Sequence, residues 1–192
     1  MAFARLVHDI PAPDWAGPGL GEWDLRALVG HTSRSLITVS TYLRAPCDHE
    51  DVVSPEDYYA RIRDASSIAT PAEIVERGRQ AGRALGDDPA ATIDGLVQQA
   101  LSDLVDAGNP LIAVVAGLGI RLHNYLPTRT FELAVHGLDI ARATGVDFQP
   151  PADVLRAATT LAARTAVALG DGRTVLSALT GRSALPPSFS VV

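Results

Sequence analysis

Apolar positions recur at helical spacing through most of the chain. In the stretch 23–44, Leu25, Leu28, Val29, Leu36, Val39 and Leu43 share one face, Asp24 stands where a helix cap is needed, and Pro46 ends the run. The tetrads SPED at 54–57 and TPAE at 70–73 each set a hydroxyl before a proline, with an acidic residue three positions after the cap. They predict helices near 55–67 and 71–85. The segment 88–108 opens with Asp88 and Pro89, repeats Ile93, Leu96, Val97, Leu101, Leu104 and Val105 at helical intervals, and stops at Gly108. Two long helices are predicted beyond it, one from about Tyr125 to Thr144 and one from about Ala152 to Leu169 after the Pro150-Pro151 pair. Only 111–122 departs from this period: β-branched residues beside a glycine-containing break suit a small hairpin, with a short buried helix as the alternative. The tail 171–192 is expected to add one short helix and an extended end. The pattern as a whole describes an all-α bundle with one possible hairpin, and the length of 192 residues fits a single domain over 1–192.

The predicted helix 125–144 carries an unusual polar row. At about 100° per residue, Arg129, Glu132, His136 and Asp139 fall within roughly a quarter of its circumference. A solvated face is the ordinary explanation of such a row. Here, however, Phe131, Val135 and Leu138 flank it on one side and Leu133 and Ile140 on the other, while the opposite side holds only Thr130, Ala134, Gly137, Ala141 and Thr144. Turning the row to water would bury the smallest residues and gain little apolar area, so the row is expected to point into the bundle.

Inward-facing charges must find partners. One solution is a salt-bridge network of Glu132 and His136 with Arg129 and Asp139, which requires no function. The other is a divalent metal, because donors at i and i+4 lie one above the other and converge on one ion. Zinc needs at least a third ligand, and His31, at the edge of the apolar face of the first long helix, is the best placed. It could equally be a half-solvated boundary histidine. His8 and His49 fall in expected loops, and His123, ahead of the helix, is a weaker fourth-ligand candidate. Two histidines and a glutamate would leave one tetrahedral position for a water or a thiol, whose proton a metal labilises.

Composition narrows the partners. With 16 Lys+Arg against 22 Asp+Glu the net charge is −6, which argues against nucleic acid. The most hydrophobic run, 111–120, is too short for a membrane span, and the first residues lack the pattern of a secretory signal; a cytoplasmic protein is expected. Cys47 is the sole cysteine and is expected to be a free intracellular thiol.

The segments WDLRALVGH at 23–31, YLPTRTFELAVHGLDIARATG at 125–145 and VLSALTGR at 175–182 resemble the N-terminal domain of mycothiol-dependent maleylpyruvate isomerases, within the DinB-like superfamily. The resemblance implies a DinB-like four-helix bundle in which His31, Glu132 and His136 bind a divalent metal, most often zinc, with Arg129 and Asp139 supporting the ligands or balancing charge. It also implies a transferase or isomerase that uses a low-molecular-weight thiol, mycothiol, as cosubstrate against a small electrophile. A non-catalytic metal-binding or small-molecule-binding module is the alternative. The full isomerase carries a further C-terminal domain, so with the chain ending at Val192 maleylpyruvate itself is not the expected substrate. The family usually has a full helix before the WxLxxLVxH segment; here Pro11, Pro13 and Pro18 interrupt 1–22, so a shortened helix or the segment 89–107 would take that place. A homodimer is compatible with a bundle of this size, although the pattern marks no seam.

Overall fold

The computed structural model describes residues 2–64 and 70–192. Within them the chain forms eight α-helices and one two-stranded antiparallel sheet: α1 (Ala2–His8), α2 (Leu25–Tyr42), α3 (Pro55–Asp64), α4 (Pro71–Ala84), α5 (Pro89–Leu104), β1 (Leu111–Ala113), β2 (Gly119–Arg121), α6 (Leu122–Thr144), α7 (Ala152–Ala168) and α8 (Gly172–Leu179). The architecture is all-α with one hairpin, as the pattern predicts. The part of the third predicted helix at 65–67 lies outside the described residues.

Local signals set the helix starts. The Asp24 carboxylate accepts from Ala27 N at 2.7 Å, Asp88 does the same for Ala91 N at 3.0 Å, and Thr70 with Glu73 forms a reciprocal capping box. Each satisfies amide donors that a helix start leaves free. Gly145, at φ 72°, ends α6 in the left-handed conformation that glycine adopts without steric cost.

Helix α2 is the hub. It packs against α4, α5 and α6, while α6 also meets α1, α3 and α7. The short α1 and the helix α5 pack on each other, α5 lying against α2 and α1 against α6. One apolar cluster joins Phe3, Leu6 and Val7 of α1 to Leu25, Leu28, Val29, Leu36 and Val39 of α2, with Ile93 and Val97 of α5. A second gathers Val52, Tyr58 and Tyr59, the facing hairpin residues Ile112 and Ile120, and Leu122, Tyr125 and Phe131 of α6.

Three expectations need correction. Helix α6 starts one turn earlier than Tyr125, because β2 runs directly into it and Pro127 removes a single amide donor rather than ending the helix. His123 therefore sits inside α6, and His8 closes α1 rather than lying in a loop, its Nε2 2.8 Å from Asp94. The small-residue side of α6 is also buried: Ala134 packs in the second cluster with Ala158 and Leu161 of α7, and Gly137 lies against the ring of Phe148. Small side chains here allow close approach rather than marking a solvent face. No helix among the described residues is long and apolar enough to cross a membrane.

The α2–α4 crossing brings two helix backbones into direct contact. A Cβ on Gly30 would run into the backbone of Ala81 and Gly82, and one on Gly82 would come 2.8 Å from Arg26 O. Gly30→Ala is therefore expected to lower stability by about 1–3 kcal/mol through overpacking. Gly95→Ala in α5, where nothing lies within 4 Å, should instead raise it by about 0.5–1 kcal/mol. Urea denaturation of the two variants checks the pair.

Candidate functional site

Helices α2, α3, α4 and α6 enclose a cavity of about 800 Å³. His31, Arg129, Glu132 and His136 all line it, so the polar row of α6 does point inward. All four tyrosines of the chain, Tyr42, Tyr58, Tyr59 and Tyr125, line it too. Ser188, Ser190, Val191 and Val192 of the extended tail complete part of the wall.

The row is joined by contacts one helical turn apart. His136 Nε2 lies 3.4 Å from Glu132 Oε2, and His136 Nδ1 lies 3.2 Å from Asp139 Oδ2. The Tyr59 hydroxyl donates to Glu132 Oε1 at 2.8 Å, reaching from α3. An imidazole set between two carboxylates favours its protonated form: burial would lower the His136 pKa, but the hydrogen bonds to Asp139 and Glu132 outweigh it and raise the value to about 9. Burial likewise works to raise Glu132, and the His136 hydrogen bond with the Arg129 charge carries it below the usual carboxylate range. Tyr59 is pushed well above the ordinary phenol value by burial and by Glu132, so it remains a donor.

His31 approaches from α2. Its ring packs on Trp23 with centroids 4.4 Å apart and meets His136 edge to face at 5.1 Å. Trp23 is itself fixed, donating from Nε1 to Val75 O at 2.9 Å and packing against Gly78. Among the described residues neither ring nitrogen of His31 has a hydrogen-bond partner. Burial first, then the neighbouring His136 charge, lowers its pKa to about 4, so it is neutral at physiological pH and its lone pair is available as a donor.

The structure thus brings His31, Glu132 and His136 to one cavity, with Asp139 behind His136. The donor atoms of the trio do not all fall within 4.8 Å of one another; among the described residues the group that meets this closeness is Cys47, Asp48 and His49. There His49 lies between Asp48 and Asp51, at 2.7 and 3.1 Å, and Asp51 Oδ2 also accepts from Gly119 N at 2.8 Å. That cluster pins its loop to the hairpin. His123 is exposed and does not line the cavity, which removes it as a fourth ligand; its backbone amide donates to Asn109 Oδ1.

Arg129 departs most from expectation. It makes no ion pair with Glu132 or Asp139; its guanidinium lies 4.7 Å from the Tyr125 ring centroid and 5.5 Å from that of Tyr58. Its Nε donates to Thr128 Oγ1 at 3.0 Å and its Nη2 to the Tyr58 hydroxyl at 3.4 Å. An Arg129-centred salt-bridge network is therefore absent among the described residues. Sequence reasoning missed Tyr58 and Tyr59, whose signal was the pairing of adjacent aromatics on a short helix in a chain with four tyrosines in all.

An all-helical bundle with two histidines and a glutamate presented from two crossing helices to a polar cavity is the class of protein that fold and site define. The model of the mycothiol maleylpyruvate isomerase N-terminal domain family matches residues 1–141, and the chain belongs to that family. The match takes in every residue of the cavity trio and Asp139, and ends within α6. Comparisons with curated proteins and with solved structures returned no match.

The His136 pKa generates a signed pH dependence for the metal-free protein. Its folded value lies above the 6.5 of a free imidazole, so its stabilising contribution is full below about 6.5 and fades as pH rises through about 9. His31 acts oppositely: the fold resists its protonation, so stability falls as pH drops from 6.5 through about 4. Imidazole NMR of EDTA-treated protein should show both titrations, with Asp139→Asn moving His136 down toward 6.5.

Proposed function

We propose that the protein is a metal-dependent enzyme, a transferase or isomerase, that uses a low-molecular-weight thiol such as mycothiol against a small electrophile, with His31, Glu132 and His136 as metal ligands. The observation that carries this reading is the approach of His31, whose ring nitrogens have no hydrogen-bond partner among the described residues, to the His136–Glu132 pair inside a cavity, its ring 5.1 Å from that of His136, in a chain of this family. The donor set, two imidazoles and a carboxylate, suits zinc. When bound, such an ion would supply the Lewis acidity that keeps a thiol deprotonated near neutral pH.

The chain's own residues prepare the site. Asp139 holds Nδ1 of His136, which orients the ring and leaves Nε2 facing Glu132 and the cavity. Tyr59 fixes one oxygen of Glu132 and leaves the other beside His136. Trp23 holds the plane of His31. Among the described residues no cysteine lines the cavity, in keeping with a sulfur nucleophile brought by a cosubstrate. A cytoplasmic setting, where small thiols stay reduced, belongs to the same proposal. The same donors would equally serve, as a second reading, a module that binds ion or ligand without turnover.

Protein purified without chelator is expected to hold close to one zinc per chain, lost in His31→Ala and in His136→Ala. Since His136 must give up its proton to become a ligand, apparent zinc affinity should climb about tenfold per pH unit between neutrality and about 9. Folded protein that takes up no zinc from zinc-rich buffer overturns the reading. Titration with mycothiol then separates enzyme from module: growth of thiolate absorbance at neutral pH supports thiol activation, and its absence supports the module.

A further inference from the structure

The chain is acidic overall, with a net charge of −6, yet among the described residues four arginines line the cavity, Arg34, Arg63, Arg77 and Arg129, against one side-chain carboxylate, that of Glu132; of the four, Arg63 also reaches Asp171 at 4.0 Å. That carboxylate is already engaged by His136 and Tyr59. The cavity therefore carries unbalanced positive charge in a protein whose surface repels anions, which concentrates any attraction for an anion at this one place.

Arg129 differs from the other three in how it is held. The rings of Tyr58 and Tyr125 both lie within cation–π range of it, and Thr128 and Tyr58 take hydrogen bonds from Nε and Nη2. Among the described residues Nη1 has no partner and no carboxylate lies within 4.0 Å. Aromatic contacts offset part of the cost of drawing a guanidinium out of water, but a lasting partner for its charge is missing. The tyrosines cannot provide one: burial pushes Tyr58 up to about 12, so its hydroxyl stays neutral. A guanidinium fixed in orientation with an open edge is the arrangement that receives a carboxylate. Arg129 also precedes Glu132 by one turn of α6, about 4.5 Å along the axis, so an acid held there would reach the His–Glu group only through a short carbon chain.

We propose that Arg129 is the anion anchor of the cavity, receiving a carboxylate of a small organic acid and so selecting which molecules present their reactive end to His31, Glu132 and His136. The inference rests on the functional reading above only for the role of that trio; anion capture by Arg129 needs no ion.

The test is calorimetric titration with succinate and with its neutral diamide, on EDTA-treated and on zinc-supplemented protein. Wild type is expected to bind succinate in both forms and the diamide at least about tenfold more weakly. Arg129→Gln should lose at least about tenfold in succinate affinity, Arg129→Lys should lose less, and Arg34→Gln should change it less than about threefold with strong salt dependence. Should Arg129→Gln fail to fold by circular dichroism, the wild-type preference for succinate together with Arg129→Lys carries the test. Succinate binding unchanged by Arg129 substitution, equal affinity for the diamide, or no succinate binding by wild type overturns the proposal. Absence of zinc binding with Arg129-dependent succinate binding intact would overturn the metal reading alone.

Discussion

An imidazole held between two carboxylates on one face of a helix is the constraint around which the cavity is arranged. Glu132, His136 and Asp139 lie largely out of water, with side-chain exposures of 20%, 14% and 17%, and none could be left there unpaired. Placing them at successive turns of α6 lets each satisfy its neighbour. This in turn fixes what must surround them: a hydroxyl from α3 to occupy the remaining Glu132 oxygen, and an aromatic edge from α2 against the His136 ring. The helices α2 and α3 are thereby positioned by polar needs as well as by apolar packing.

The close crossing of α2 with α4 serves the same end. Paired glycines bring the two backbones into contact beside His31, and the ring of Trp23 fills the wedge that opens above Gly78. The resulting wall sets the backbone of α2 close against α4 beside the His31 ring. Backbone contact of this kind has less freedom to adjust than interlocked side chains.

Much of this was legible in the sequence because it is local. Caps at Asp24, Thr70 and Asp88 act within three or four residues, and the helical period of Glu132, His136 and Asp139 places them on one face whatever surrounds them. His31 could be tied to them through its position on the apolar edge of α2 and through the family motif. What could not be read depends on partners distant in sequence. The tyrosines that hold Arg129 include Tyr58, 71 positions away, and no spacing rule connects them. Charge arithmetic suggested a carboxylate partner for Arg129; aromatic rings supplied the stabilisation instead. The start of α6 lies three residues ahead of the expected Tyr125 for another reason: β2 ends at Arg121 and the chain passes into the helix with no intervening loop, a junction that no cap residue marks.

Trp23 lies tilted against the His31 ring in the same wall. An indole whose ring centroid lies 4.4 Å from that of an imidazole, tilted by 31°, is close enough to distinguish a cationic imidazole from a neutral one. With Trp15 the only other indole in the chain, Trp23 is the natural intrinsic probe of the charge state of His31, readable without any label.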